Sequence, residues 1–504
     1  MVNEKNRAEA SQSLASTGIP GLDEVLCGGL PEQHLYVVEG SPGAGKTTLG
    51  LQFLLAGLVH GQRGLYVTLS ETASELAIVA QSHGWSLDGL SVFELSNGAA
   101  MAEDLEQSIL HPSEVELSET TSRVLREVER LKPDRIVFDS LSEMRLLAQD
   151  PLRYRRQILA LKHFFANVGC TVLMLDDMSS KASDLQLHSI AHGVLALHQN
   201  DDDYGEGKRQ IRVVKLRGVK FRGGDHDFRL DTGGIEVFPR LIASEHSRRF
   251  VPTRASSGNA QLDQLLGGGL AHGTNTLLLG PSGVGKTTTG MSCLIAAMKR
   301  GEKASYYLFD EGLSTLLARC EALQMPIARY IESGQLEIVA LDPAALSPGE
   351  FSTIVRKAVE ERGVTMLGID SLNAYLQAMP GGKFLILQMH ELLMYLNQCG
   401  VATLVVLSQH GLFGTGRNDV DLSYLSDAIM LFSFFEARGS LLKAVSVVKS
   451  RTNEHELTIR EFRLGATGIE VGAALTDFDG VMMGVPAYRG QQSLLGDEPL
   501  IERQ

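Results

Sequence analysis

Two copies of a glycine-rich loop stand 240 residues apart in this chain of 504 residues: Gly40-Ser41-Pro42-Gly43-Ala44-Gly45-Lys46-Thr47 and Gly280-Pro281-Ser282-Gly283-Val284-Gly285-Lys286-Thr287. Each follows an apolar run (Leu35 to Glu39, Thr276 to Leu279) and precedes a helix-forming stretch (Thr47 to Leu58, Thr287 to Met298). A phosphate cradle needs this strand, loop and helix order: backbone N–H groups turn inward around the phosphates, leaving no room for side chains at several positions. The predicted nucleotide-binding residues are Gly43, Gly45, Lys46, Thr47 and Thr48, and Gly283, Gly285, Lys286, Thr287 and Thr288. Lys46 and Lys286 bring compact positive charge to the β- and γ-phosphates of ATP, and Thr47 and Thr287 each offer a hydroxyl to Mg²⁺. Two loops in this setting predict two tandem P-loop nucleotide-binding domains of the α/β class, with mainly parallel sheets flanked by helices.

The duplication runs beyond the loops. Upstream, Ser16-Thr17-Gly18 with Gly21-Leu22-Asp23 is answered by Ser256-Ser257-Gly258 with Gln261-Leu262-Asp263, and Gly28-Gly29-Leu30 by Gly268-Gly269-Leu270. Downstream, the runs Arg135 to Asp139 and Thr365 to Asp370 each deliver an aspartate to a strand's carboxyl end, where open α/β sheets hold their ligands. Asp139 and Asp370 are the predicted Mg²⁺ residues, directly or through water, together with Thr47 and Thr287. Between loop and aspartate, the strands Gly64 to Leu69 and Ala304 to Phe309 end in Ser70-Glu71 and Asp310-Glu311. A carboxylate there can orient or deprotonate a water or hydroxyl facing the γ-phosphate, so Glu71, Asp310 and Glu311 are the candidate catalytic acids. Two late strands carry Lys215 and Arg217, and Lys449 and Arg451; an i, i+2 spacing puts such cations on one side, with no evident task inside their own subunit.

A formal charge of −14 argues against a phosphate-neutralising nucleic-acid binder, and no apolar run approaches the roughly 18 residues that cross a bilayer. The expectation is a cytoplasmic protein whose five scattered cysteines are reduced. The acids of Asp201 to Gly207 lack the alternating spacing of a calcium loop and are expected to form a surface turn; His188, His192 and His198 are expected to be ordinary surface or core residues. The polar stretch from Ile242 to Ser257 is read as a linker, dividing the chain at about residue 247 into domains 1–247 and 248–486, with a tail at 487–504.

Loop, acid pair, aspartate and late Lys-x-Arg follow in the same order in both halves, and over roughly residues 12–486 the chain resembles the KaiC family of circadian clock ATPases, within the RecA-like ATPases. The resemblance implies two RecA-like domains per subunit, stacked as two rings of a homohexamer with ATP between neighbouring subunits. It implies slow ATP hydrolysis in the first ring and a serine autokinase in the second, with signalling or clock proteins as partners. The family's paired catalytic glutamates fall on Ser70 and Glu71, and on Asp310 and Glu311. Its late basic motif falls on Lys215 and Arg217, and on Lys449 and Arg451, which would reach across the subunit boundary to the neighbour's phosphates. Its phosphorylated pair falls on Ser423 and Tyr424, so Ser423 is the candidate phosphosite. Two alternatives stay open, because fold does not settle function: a recombinase-like DNA-dependent ATPase, and a scaffold locked together by ATP with incidental hydrolysis.

Overall fold

The computed structural model describes residues 13–95, 112–177, 184–200, 207–378, 384–409, 423–437, 439–452, 454–465, 468–483 and 486–489. The chain divides into two compact units, Met1–Arg240 and Leu241–Gln504. All but the last residue of the acidic turn expected at 201–207, and nearly all of the tail, lie outside the described residues.

The first unit is built on nine strands: β1 (Leu35–Gly40), β2 (Gly64–Thr68), β3 (Ser91–Glu94), β4 (Arg135–Asp139), β5 (Thr171–Asp177), β6 (Gly193–Asn200), β7 (Lys208–Leu216), β8 (Asp225–Asp231) and β9 (Gly234–Phe238). Their order across the sheet is β3-β2-β4-β5-β1-β6-β7-β8-β9. Strands β1 to β6 are parallel to their neighbours, and β7, β8 and β9 continue the sheet antiparallel. The strand feeding the first glycine loop is therefore central, and the ends of β5, β4 and β2 follow it along one edge. Helices α1 (Lys46–Val59), α2 (Ala73–Ser82), α3 (Pro112–Leu131), α4 (Leu141–Ala148), α5 (Pro151–Val168) and α6 (Asp184–Ile190) connect the parallel strands.

Both faces of the parallel strands are covered, which explains their unbroken apolar sequences. Alternation does the sorting. Tyr36 and Val38 of β1 pack with Leu49 and Phe53 of α1, whereas Leu35 and Val37 pack with Ile158, Leu161 and Phe165 of α5. Each such side chain, fully buried, stabilises by about 1.5–3 kcal/mol.

The second unit repeats this plan with β10 (Asn275–Gly280), β11 (Ala304–Leu308), β12 (Leu336–Ala340), β13 (Met366–Asp370), β14 (Ala402–Ser408), β15 (Ala428–Ala437), β16 (Ser440–Ser450), β17 (Arg460–Gly465) and β18 (Gly468–Ala474). The order β12-β11-β13-β14-β10-β15-β16-β17-β18 matches the first sheet strand for strand. Its helices include α7 (Lys286–Lys299), α8 (Leu313–Ala322), α9 (Ile327–Glu332), α10 (Pro348–Glu360), α11 (Leu372–Ala378) and α12 (Leu385–Gln398).

The upstream repeat has a structural task. Ser16 Oγ and the Thr17 N–H donate to the two carboxylate oxygens of Asp23 at 2.6 and 2.9 Å. Ser256 Oγ and the Ser257 N–H do the same to Asp263 at 2.5 and 2.7 Å. Each aspartate pins the chain between a two-residue ribbon and the following short helix, so the matching Ser/Asp signature serves the backbone rather than the chemistry.

Candidate functional site

Each glycine loop closes onto the first turn of its helix. Gly45 and Gly285 are the N-cap residues of α1 and α7 at φ 101° and 118°, a left-handed conformation that side chains rarely adopt. At Gly43 and Gly283 (φ 79° and 77°) a Cβ would meet no protein atom, so backbone conformation and not crowding by the protein requires glycine there. The loop lysines fold back over their own loops. Lys46 Nζ donates to the carbonyls of Gly40 and Ser41, both at 2.9 Å; Lys286 Nζ donates to those of Gly280 and Pro281, both at 2.7 Å. Burial depresses the Lys286 ammonium to about 8, against an opposing pull from Asp370. Thr48 and Thr288 are buried, and the Thr48 hydroxyl lies 3.3 Å from His83 Nε2.

The strand-end aspartates meet the loop threonines. Thr47 Oγ1 donates to Asp139 Oδ2 at 3.3 Å and Thr287 Oγ1 to Asp370 Oδ2 at 2.6 Å. A tyrosine from the neighbouring strand completes each pair: Tyr66 Oη donates to Asp139 at 2.5 Å and Tyr306 Oη to Asp370 at 2.8 Å. Burial raises both carboxyls above their ordinary range, and the hydroxyl donors work against that rise. Two hard oxygen donors side by side at the mouth of a phosphate cradle fit Mg²⁺, which keeps its remaining positions for water and substrate oxygens. Sequence reasoning missed the tyrosines as site residues. Their signal was present: Tyr66 and Tyr306 stand in the same place in the two strands that lead to the candidate catalytic acids.

The acids differ between the halves. Glu71 is half-buried, its Oε2 has no hydrogen-bond partner among the described residues, and burial, followed by the charges of Asp139 and Glu75, raises its carboxyl. Glu311 is instead ion-paired with Arg319 of α8 at 2.7 Å, and Asp310 accepts a hydrogen bond from Ser371.

The first half also carries acids that the sequence reading passed over. Asp177, at the end of β5, sits opposite Gly40 in the sheet register and contacts Lys46 Nζ at 2.8 Å. Its other oxygen accepts from Ser142 Oγ at 2.9 Å. Burial pushes the Asp177 carboxyl up, but Lys46 and Ser142 outweigh it and the net shift is downward. Glu39 pairs with His188 Nε2 at 2.8 Å and Asp176 with Arg145 at 2.5 Å; His188 is thus a partner to the residue preceding the loop.

The late-strand cations correct one expectation: they do have contacts inside their own chain. Lys215 Nζ donates to the carbonyls of His188 and Ala191, and Arg217 to that of Ser189 at 3.0 Å. Lys449 donates to the Ser426 carbonyl at 2.8 Å, and Arg451 lies 3.8 Å from Asp427. Arg217 and Arg451 fall just past the ends of β7 and β16, and a register shift beside Lys215 and Lys449 re-aims each pair. In both halves the pair converges on the segment leading into β6 or β15. Ser423 opens a short 3₁₀ turn, Ser423–Leu425, and Tyr424 is exposed.

Fold and paired sites together define a tandem RecA-like P-loop ATPase. The family model of the KaiC ATPase matches residues 15–242 and again 255–476, and the chain belongs to that family. It is 25% identical over 505 residues to the circadian clock oscillator protein KaiC of Acaryochloris marina, covering 96% of this chain and 93% of that protein. It is 26% identical to the protein of the same name from Prochlorococcus marinus, covering 95% and 96%. It is 24% identical to the circadian clock protein KaiC3 of Synechocystis sp., covering 95% of both. No helix among the described residues is long and apolar enough to cross a membrane.

Proposed function

We propose that this chain is a Mg²⁺-dependent ATP hydrolase of KaiC type, working as a homohexameric ring in signalling or timing. The observation that carries this reading is the convergence, twice, of loop lysine, loop threonine, strand-end aspartate and buried tyrosine on one cradle. In this reading Lys46 and Lys286 hold the β- and γ-phosphates, and Thr47 with Asp139, and Thr287 with Asp370, hold Mg²⁺. A bound Mg²⁺ draws charge from the phosphates. Glu71 orients and deprotonates the attacking water in the first half. Glu311, with Asp310 beside it, takes that place in the second.

Closed rings are how repeated head-to-tail contacts end. The paired cations at matching strand ends suit a contact with a neighbour's phosphates, each pair exchanging its carbonyl partners for a stronger anion. Native mass measurement with and without Mg²⁺-ATP tests the assembly, and a chain that stays monomeric at saturating ATP refutes it. DNA that stimulates turnover would transfer the chain to the recombinase-like alternative.

A second activity, serine autokinase on Ser423, is favoured by one observation: the 3₁₀ turn it opens leads directly to Ser426, whose carbonyl receives Lys449. If Lys449 faces a neighbour's phosphate, Ser423 is carried close to it. Peptide mapping after incubation with Mg²⁺-ATP decides; phosphate that persists in Ser423→Ala excludes this site.

A further inference from the structure

The two lysine cradles differ in the side chain that meets the loop lysine from the neighbouring strand. In the sheet register the last residue of β5 opposite Gly40 is Asp177, and the last residue of β14 opposite Gly280 is Ser408. Their supports match too: Ser142 donates to the Asp177 carboxylate, and Asn373 brackets the Ser408 backbone, accepting from its N–H at 2.7 Å and donating to its carbonyl at 3.0 Å. The geometry thus puts a carboxylate on the first loop lysine, 9% exposed, and a neutral hydroxyl residue at the same place in the second cradle.

We infer that Asp177 is a specificity-determining residue of the first site, weighting it against nucleotides that carry a γ-phosphate and in favour of diphosphates. This rests on the proposed reading of the first loop as a nucleotide site. A P-loop lysine contacts the β- and γ-phosphates, so an arriving triphosphate must share Lys46 with Asp177. Strand order decides which phosphate suffers. From the loop strand β1, the edge runs through β5, β4 and β2, whose ends carry Asp177, Asp139 and Glu71. The terminal phosphate is the one directed at that acidic edge, and Asp177 stands nearest to the lysine on it. Asp139 would be neutralised by the metal, whereas Asp177 is ion-paired with the same lysine that the γ-phosphate needs, supported by Ser142 and the more distant charge of Arg145. At separations of a few ångströms in a half-buried setting, like-charge repulsion of this kind is large enough to change affinity about tenfold.

The test is nucleotide titration of the full-length chain, using ADP and a non-hydrolysable ATP analogue with Mg²⁺. In a Lys286→Ala background, which isolates the first site, Asp177→Asn keeps a hydrogen-bonding side chain but removes the charge. The expected result is a gain of about tenfold in affinity for the ATP analogue and less than about threefold for ADP. The reciprocal variant, Ser408→Asp in a Lys46→Ala background, is expected to lose affinity for the analogue by a similar factor while keeping ADP. It also serves if Asp177→Asn fails to fold. An unchanged preference between the two nucleotides in either folded variant overturns the inference while leaving the site standing. If the Lys286→Ala protein binds neither nucleotide, the reading of the first loop as a nucleotide site falls, and this inference falls with it.

Discussion

The two halves share a skeleton and differ in charge. Around the first loop, Glu39, Asp176 and Asp177 are answered by His188, Arg145 and Lys46. The corresponding strand positions of the second half hold Leu279, Leu407 and Ser408. Exchanging buried ion pairs for apolar residues is often neutral or stabilising, so the fold tolerates both choices. Backbone conformation at the glycines and the Lys/Thr/Asp/Tyr set are common to both cradles; the surrounding charges are free to set how each cradle behaves. The acids follow the same lesson, Glu71 with a buried oxygen that has no partner among the described residues and Glu311 held by Arg319.

The largest asymmetry is expected in turnover. Glu71→Gln, assayed with Lys286→Ala, should slow hydrolysis by about 10²–10⁴-fold, the usual worth of a positioned base, with nucleotide binding nearly intact. Glu311→Gln with Lys46→Ala should cost less, because the ion pair with Arg319 holds that carboxylate away from an attacking water. Equal losses would erase the comparison between the acids.

Next comes pH. The Lys286 ammonium, depressed to about 8, is charged below that value and neutral above it. Since the charged form holds phosphate, second-site nucleotide affinity should fall as pH rises through about 8, by at most about tenfold per pH unit. The raised Glu71 carboxyl acts on the acid side. A base must be deprotonated to work, so first-site turnover should begin to fall at a higher pH than an ordinary glutamate would set. Titrations of the two single-site variants check both limbs.

A smaller effect is expected from Arg319→Val, which places in α8 the residue type found at Val79 of α2. Freeing Glu311 should raise second-site turnover by about three- to tenfold, moving it toward the first site. Unchanged turnover would show that the ion pair does not restrain Glu311. Least asymmetry is expected from Tyr66→Phe and Tyr306→Phe. Each removes one hydrogen bond to a buried carboxylate, and each should cost about 1.5–3 kcal/mol of stability in its own unit, measured by urea unfolding. A marked difference between them would sharpen the comparison by extending it to the threonine–aspartate pairs.

Whatever is repeated or local could be read along the chain. The 240-residue offset announces two α/β domains. Period and glycine placement define the cradles, and aspartates at strand ends are visible because a strand's direction can be read from its apolar run. Even the tyrosines were within reach, once the repeat was followed one residue type further. The tertiary structure alone decided which charges meet. Asp177 lies far along the chain from Lys46, and only the placement of β5 beside β1, in a register that sets Gly40 opposite Asp177, brings them to 2.8 Å. Lys215 and Arg217 reach the residues before β6 because the strands pair antiparallel across a bulge. Such contacts depend on strand order and register, which arise from packing over the whole sheet, and a motif read along one dimension carries neither.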